Sequence, residues 1–186
     1  MTLHPAHSVD SRPVPVTVRR VDYRDPVDAA ALVALLDLYA RDPMGGGTPL
    51  DDDVKARLCS GLAERGEAGQ HLGAVSFIAW LPSARPNAAP QAVGLINCFE
   101  AYSTFKAQAL INIHDIAVHP AHRGRGMGQA LLAAAADHAR ARGCCKLTLE
   151  VLSGNAVALA SYRRFGFAGY QLDPAAGQAV FLQKWL

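Results

Sequence analysis

Glycines 124, 126 and 128 alternate with Arg125 and Met127, follow Arg123, and run straight into the alanine-rich stretch QALLAAAADHARARG. A strand or helix interior suits such a run badly, because glycine loses more backbone entropy on ordering than any other residue. A helix start suits it well. The first turn of a helix presents unpaired N–H groups and about half a unit of positive charge, a ready site for an anion. Without Cβ atoms in the way, that anion can lie against the backbone itself. Arg123 and Arg125 add formal charge, which favours a pyrophosphate over a carboxylate. The bland reading, a capping loop with solvated arginines, stands beside this one.

Two known phosphate loops fail the comparison. A dinucleotide fingerprint needs G-x-G-x-x-G, and counting from Gly124 puts Gln129 at the third glycine. A Walker A loop ends in Gly-Lys-Ser/Thr, a triplet missing from this stretch.

The surrounding chain has the length and composition of a folded domain. It has 186 residues, 51% hydrophobic and 18% charged, enough to bury a core. A net charge of +2 gives no general field for nucleic acid or an anionic membrane, so the basic groups count only where they cluster. Cys59, Cys98, Cys144 and Cys145 show no C-x-x-C spacing, and the adjacent pair Cys144-Cys145, in an apolar run, reads as buried free thiols. The seven histidines show no ligand spacing, and no metal is expected. With no apolar signal core at the start and no apolar run of about 18 residues, the expected location is cytoplasmic.

Residues 1–13 read as a flexible tail and 14–186 as a single domain. VPVTVRRV alternates as a half-buried strand does, DPVDAAALVALLDLYARD has helical periodicity, and MGGG breaks the chain before a second helix opened by Asp51, Asp52 and Asp53. HLGAVSFIAWLP, QAVGLINCFEAYSTF and ALINIHDIAVHP read as three strands. The glycine-led helix then runs to Arg142, before Gly143. CKLTLEVL is a strand, NAVALASYRRF a short helix, and FAGYQLD and AVFLQKWL two closing strands. This order predicts an α/β fold, a mixed, mostly antiparallel sheet flanked by helices. In LINIHDIAV the period-2 phase slips between Ile113 and Ile116. A bulge at His114-Asp115 would cause that; so would a strand buried on both faces, where phase means little.

Two motifs then coincide. Arg-x-x-Gly-x-Gly is met by Arg123, Gly126 and Gly128 after a strand ending in IAVHP. Downstream, NAVALASYRRFGF sets Asn155 seven residues before Tyr162 and closes on Gly166-Phe167. On these residues the chain resembles the GNAT superfamily of acetyl-CoA-dependent N-acetyltransferases, firmly from about Ala92 to Phe167. The resemblance implies a GNAT-like fold and acetyl-CoA as cosubstrate. The main chain of Ile116, Ala117 and Val118 would hold the pantetheine arm. The loop of Gly124, Arg125, Gly126, Met127, Gly128 and Gln129, with Arg123 beside it, would hold the pyrophosphate. Asn155 would also contact the coenzyme.

Tyr162 is implied as the proton donor to the departing thiolate, against a plain role as a core aromatic. Acyl transfer to an amine needs such a donor, since a hydroxyl at the sulfur eases the collapse of the tetrahedral intermediate. The incoming amine must also lose a proton. His114 stands where related enzymes carry an acid and is one candidate base; Glu100 is the other. A structurally bonded His114 remains open. The Asp51–Asp53 cluster reads as a helix opening or as an attractor of a cationic amine, and RDPMGGGTPL reads as a mobile lid at the acceptor site.

The implied function is direct transfer of an acetyl group to a primary amine on a small-molecule or peptide acceptor, with no covalent enzyme intermediate. No nucleic-acid or membrane partner is expected; whether the chain forms a homodimer stays open, though many relatives dimerise. A non-catalytic acyl-CoA-binding or regulatory domain is the alternative. A basic module reading nucleic-acid phosphates through HRGRG is a third, weakened by the near-neutral charge.

Overall fold

The computed structural model describes residues 16–66, 73–83, 85, 87–170, 175 and 180–186. The expected tail, residues 1–13, lies outside them. The chain divides into two compact units, the first ending at Glu150 and the second running from Val151 to Leu186.

The first unit is built on a five-stranded sheet in the order β1 (Thr17–Arg20), β2 (Ala74–Leu81), β3 (Gln91–Ser103), β4 (Gln108–Val118), β5 (Leu147–Leu149). The first three pairings are antiparallel and the β4–β5 pairing is parallel. Helices α1 (Pro26–Ala40) and α2 (Asp52–Gly66) come between β1 and β2, and α3 (Met127–Ala141) between β4 and β5. The mixed, mostly antiparallel sheet matches the sequence expectation.

Each helix has a local cause. Asp25 caps α1 by accepting the Val27 and Asp28 N–H groups, and Pro26 opens the first turn. Asp28 is buried, yet paired: it meets the guanidinium of Arg19 on β1 and accepts the Asp22 N–H at 3.0 Å. Pairing is what makes a carboxylate tolerable there. Arg19 also lies over the Trp80 ring. Asp52 and Asp53 sit in the first turn of α2 and pair with Lys55 and Arg57, so the acidic cluster serves as a helix opening.

The sheet is covered on both faces. Leu32 and Leu35 of α1 and Leu62 of α2 pack with Ile78, Trp80 and Leu95 in one apolar cluster. On the other face Leu131 of α3 lies so close to Gly94 that a Cβ there would sit 3.0 Å from its methyl. Central strand β2 is buried along its whole length, as double coverage requires.

His138 of α3 lies edge-on to Phe77, ring centroids 5.9 Å apart. Burial lowers its pKa below the ordinary 6.5, and the nearby charges of Arg20 and Arg142 lower it further, while Glu100 opposes them. As pH falls through 6.5 the unfolded chain takes a proton that the folded one resists. The stability contribution is therefore complete above 6.5 and fades below it. Tm is expected to decline between about pH 7 and 5, and His138→Phe to flatten that decline. An unchanged slope would move the titration to another group, His122 first, whose pKa burial also lowers. The carboxylates of Asp37, Asp42 and Asp53, held below their ordinary 3.8, lose their contribution only in a more acidic window.

The second unit contains α4 (Ala156–Phe165). Asn155 caps it by accepting the Ala158 N–H at 3.1 Å. Gly166, at φ 109°, ends it, with Gly166 N–H on the Arg163 carbonyl and Phe167 N–H on that of Tyr162. That pair of bonds is the Schellman closure, which needs a left-handed residue and therefore a glycine.

The two closing strands expected from the sequence do not form among the described residues. Phe167–Tyr170 and Val180–Leu186 carry no strand, and the rest of both segments lies outside the described residues. Alternation marks a segment able to half-bury itself, but a strand also needs a ladder partner. The Phe167 N–H is spent on closing α4 instead.

Candidate active site

β4 and β5 pair at only three positions, Ile111 with Leu147, Asn112 with Thr148 and Ile113 with Leu149. Beyond Ile113, β4 continues to Val118 while β5 has ended, so among the described residues the β5-side edge of 114–118 has no strand neighbour. The Asn112 amide stands at the fork and donates to Thr148 at 3.2 Å and to the Glu150 carboxylate at 3.3 Å. An unpaired edge of this kind is where an extended arm can bond main chain to main chain. Ile116, Ala117 and Val118 supply that edge.

The bulge expected from the phase slip is present. Asn97 of β3 faces Asp115 and Cys98 faces Ile113, leaving His114 as the extra residue on β4. It turns two polar side chains toward one face. Asp115 accepts from the Asn97 amide at 3.0 Å, and the exposed His114 lies edge-on to Phe99 at 5.5 Å. Asn97 and Phe99 share the α1/α2 side of β3, so the bulge aims both groups there. Behind Asp115 runs a buried string: Asn97 accepts from Ser76 Oγ at 2.6 Å, and Ser76 meets the Tyr23 hydroxyl at 2.9 Å. Packing and hydrogen bonds thus hold the Asp115 carboxylate.

Glu100 is not brought to this point. It lies on the α3 side of β3, paired across the ladder with Ile111, and its Oε2 accepts from Arg142 Nε at 3.2 Å and Nη2 at 3.0 Å. Arg142 follows the C-terminal end of α3, the opposite end from the glycines.

After β4 comes a short 3₁₀ turn, Pro120–His122, capped by His119, whose Nδ1 accepts the Ala121 N–H. The chain then reaches α3 through two left-handed glycines, Gly124 at φ 74° and Gly126 at φ 84°. No side chain caps the helix. Added Cβ atoms at Gly124 and Gly126 would meet nothing within 4 Å, so the amides at this helix start border open space. An uncapped first turn, formally positive and open, is the geometry that accepts a phosphate.

Arg123 has partners the sequence does not disclose. Its Nε donates to the Val118 carbonyl at 3.1 Å and its Nη2 to Asp42 at 2.9 Å. Asp42 belongs to the loop between α1 and α2, read from the sequence as a mobile lid. That loop is instead closely bonded. Asp42 Oδ1 accepts the Met44 N–H at 2.9 Å, and its carbonyl accepts those of Gly45 at 2.7 Å and Gly47 at 3.1 Å. Gly45 packs against the Tyr39 carbonyl so closely that a Cβ would lie 2.0 Å from it. The Tyr39 hydroxyl is pushed up in pKa by burial, then by the negative charges of Asp115 and Asp42. Both carboxylates therefore act on the Tyr39 hydroxyl.

Burial pushes the Cys98 thiol up to about 12 and raises those of Cys59 and Cys144. Such thiols are poor nucleophiles at neutral pH. Among the described residues no group of three or more His, Cys, Asp or Glu is arranged to hold a metal. No described helix is long and apolar enough to cross a membrane.

In the second unit, Asn155 spends its side-chain oxygen on the cap of α4, leaving its amide hydrogens for other bonds. The Tyr162 ring lies 6.0 Å from that of Phe167.

Known proteins are similar to this chain in sequence and in fold. Residues 34–167 match the model of the acetyltransferase (GNAT) family. A streptothricin acetyltransferase of Streptomyces lavendulae is 50% identical over 70 residues, 38% of this chain and 37% of that protein. A mycothiol acetyltransferase of Gordonia bronchialis is 27% identical over 76% of this chain and 54% of its own length. The chain thus spans about a third to a half of the length of these two relatives, 37% and 54%. Among solved structures, a probable acetyltransferase superposes with a TM-score of 0.70 at 16% identity, covering 91% of this chain and 98% of that one. An aminoglycoside acetyltransferase from an uncultured soil sample, in complex with sisomicin, gives 0.67 at 17% identity, over 92% and 96%. With the forked sheet, the bulge and the uncapped glycine-led helix in one unit, and the family model spanning most of the chain, the protein belongs to the acetyltransferase (GNAT) family.

Proposed function

We propose that this chain moves an acetyl group from acetyl-CoA directly to a primary amine on a small, cationic molecule. The observation that carries the reading is the fork after Ile113, with the bulge at its mouth and the uncapped start of α3 beyond it. The residues present suit the coenzyme. The amides from Gly124 to Gln129 and the remaining donors of Arg123 and Arg125 take the pyrophosphate, and the edge of Ile116–Val118 takes the arm. Asn155 adds a bond through its amide.

The rest of the chemistry is proton handling. Asp115 and Asp42 attract the ammonium form, and His114 takes one proton from it and releases it to solvent. The free amine nitrogen then bonds to the acetyl carbon, the carbon–sulfur bond breaks, and Tyr162 gives its proton to the departing sulfur. The second proton shed by the nitrogen replaces, through water, the one Tyr162 gave, so one proton is released in all. Glu100 has no part in this, because Arg142 holds its carboxylate on the far side of the sheet. The raised thiols support direct transfer rather than a cysteine-bound intermediate. Residues 14–186 act together as one catalytic domain in this reading, and the protein works in the cytoplasm.

The relatives suggest which amines to try first, since one is named for streptothricin and a structural neighbour is an aminoglycoside acetyltransferase. Release of free thiol from acetyl-CoA is to be measured with streptothricin, an aminoglycoside, a polyamine, lysine and a peptide N-terminus. A small cationic amine should be turned over, and His114→Ala should lower kcat/KM by about 10²-fold or more while acetyl-CoA affinity stays. Coenzyme binding with no turnover of any amine would favour a non-catalytic acyl-CoA-binding domain.

A further inference from the structure

Asp42 serves two structures at once. One carboxylate oxygen closes the turn of its own loop on the Met44 N–H at 2.9 Å, and the other holds Arg123 Nη2 at 2.9 Å, 81 positions along the chain. Arg123 is also pinned at Nε by the Val118 carbonyl, the last residue of β4. One guanidinium therefore links three things: the end of the strand that flanks the fork, the loop leading into the first turn of α3, and the loop between α1 and α2. A guanidinium has five N–H donors, and these two bonds use two of them. Three remain for a phosphate, so the link need not break when one binds. The Met44 N–H and then Arg123 hold the Asp42 carboxyl below its ordinary range, which keeps it charged.

The link is half-exposed, with the Arg123 side chain 53% accessible. Ion pairs so placed contribute little alone, because holding a long side chain in one geometry costs about what the attraction returns. A phosphate on the remaining donors changes that balance. It fixes the guanidinium, and the bond to Asp42 then forms without a second entropic cost.

We propose that Asp42 is a positioning residue: through Arg123 it makes the order of the acceptor-side loop, Met44–Thr48, depend on occupation of the phosphate loop. Coenzyme binding stiffens the amine site, and an ordered amine site tightens coenzyme binding by the same factor. The proposal rests on the reading of residues 123–129 as the coenzyme loop.

The test uses the full chain, with coenzyme A as the probe. The amides of Met44, Gly45, Gly47 and Thr48 are all hydrogen-bonded, so their hydrogen exchange reports loop opening. Coenzyme A should slow their exchange about fivefold or more in the wild type. Asp42→Asn keeps one oxygen, and the local Met44 N–H retains it while the long Arg123 side chain swings away. That variant should still bind coenzyme A in calorimetry, weakened by no more than the factor seen in exchange, yet show the same loop exchange with and without it. Asp42→Glu keeps the carboxylate and should restore part of the protection. Equal protection in Asp42→Asn, or a wild-type loop indifferent to bound coenzyme A, overturns the proposal. Failure of the wild type to bind coenzyme A at all would sink the coenzyme reading, and the proposal with it.

Discussion

Replacing Tyr162 by phenylalanine is expected to lower kcat by about 10²–10⁴-fold, the usual scale for one positioned acid. The change removes a hydroxyl and keeps the ring, so the edge-on contact with Phe167 survives. The Schellman closure of α4 survives too, since it uses the Tyr162 carbonyl and not its side chain. KM for acetyl-CoA should move little, because in the proposed role the hydroxyl acts where negative charge grows on sulfur rather than in the ground state. Stopped-flow acetyl transfer from pre-bound acetyl-CoA would show that chemistry is the step slowed. A fall below about threefold, with chemistry rate-limiting, would return Tyr162 to a packing role and make water the proton source.

The sequence is most legible where the cause is local. A helix opened by three glycines announces itself because two of them, Gly124 and Gly126, take left-handed φ values that other residues avoid. The extra residue at His114 shows as a slip of one in the apolar phase, since a strand's side-chain period is two and a bulge adds one. Gly166-Phe167 is likewise a local closure.

What stays hidden is long-range. Nothing in the spacing of Arg123 says that Asp42 will meet it, or that Asn97, Ser76 and Tyr23 will line up behind Asp115 across three chain segments. Glu100 shows the converse error. Its place near a strand end suggests a base, but the alternation of β3 turns it to the α3 side, where Arg142 takes it. The carboxylate beside the bulge is instead that of Asp115, next to His114 in the chain. The glycines of MGGG mislead in the same way. They read as looseness alone, and the spacing does not show that Gly45 sits where backbone packs against backbone and leaves no room for a Cβ.

The loop proposed to hold the pyrophosphate yields the second large effect, and the structure chooses the residue to change. Gly126 sits at φ 84°, so a valine there would strain the backbone by roughly 1–2 kcal/mol apart from any effect on binding. Gly128 is cleaner. It lies inside the first turn of α3, and its added Cβ would meet only the Val118 methyl at 4.0 Å. That contact points the new side chain toward the end of β4. Gly128→Val should therefore leave Tm unchanged or slightly raised, since valine is the better helix former. It should raise the Kd of coenzyme A by about 10–100-fold, the loss of one or two charge-assisted hydrogen bonds of about 1.5–3 kcal/mol each, partly recovered by water. Dephospho-coenzyme A and coenzyme A should lose affinity alike, because both carry the pyrophosphate; pantetheine, which lacks it, should be much less affected. Calorimetry with the three ligands on wild type and variant gives the comparison. If Gly128→Val binds coenzyme A as the wild type does, the pyrophosphate lies elsewhere and the open amides of α3 serve only as a helix start.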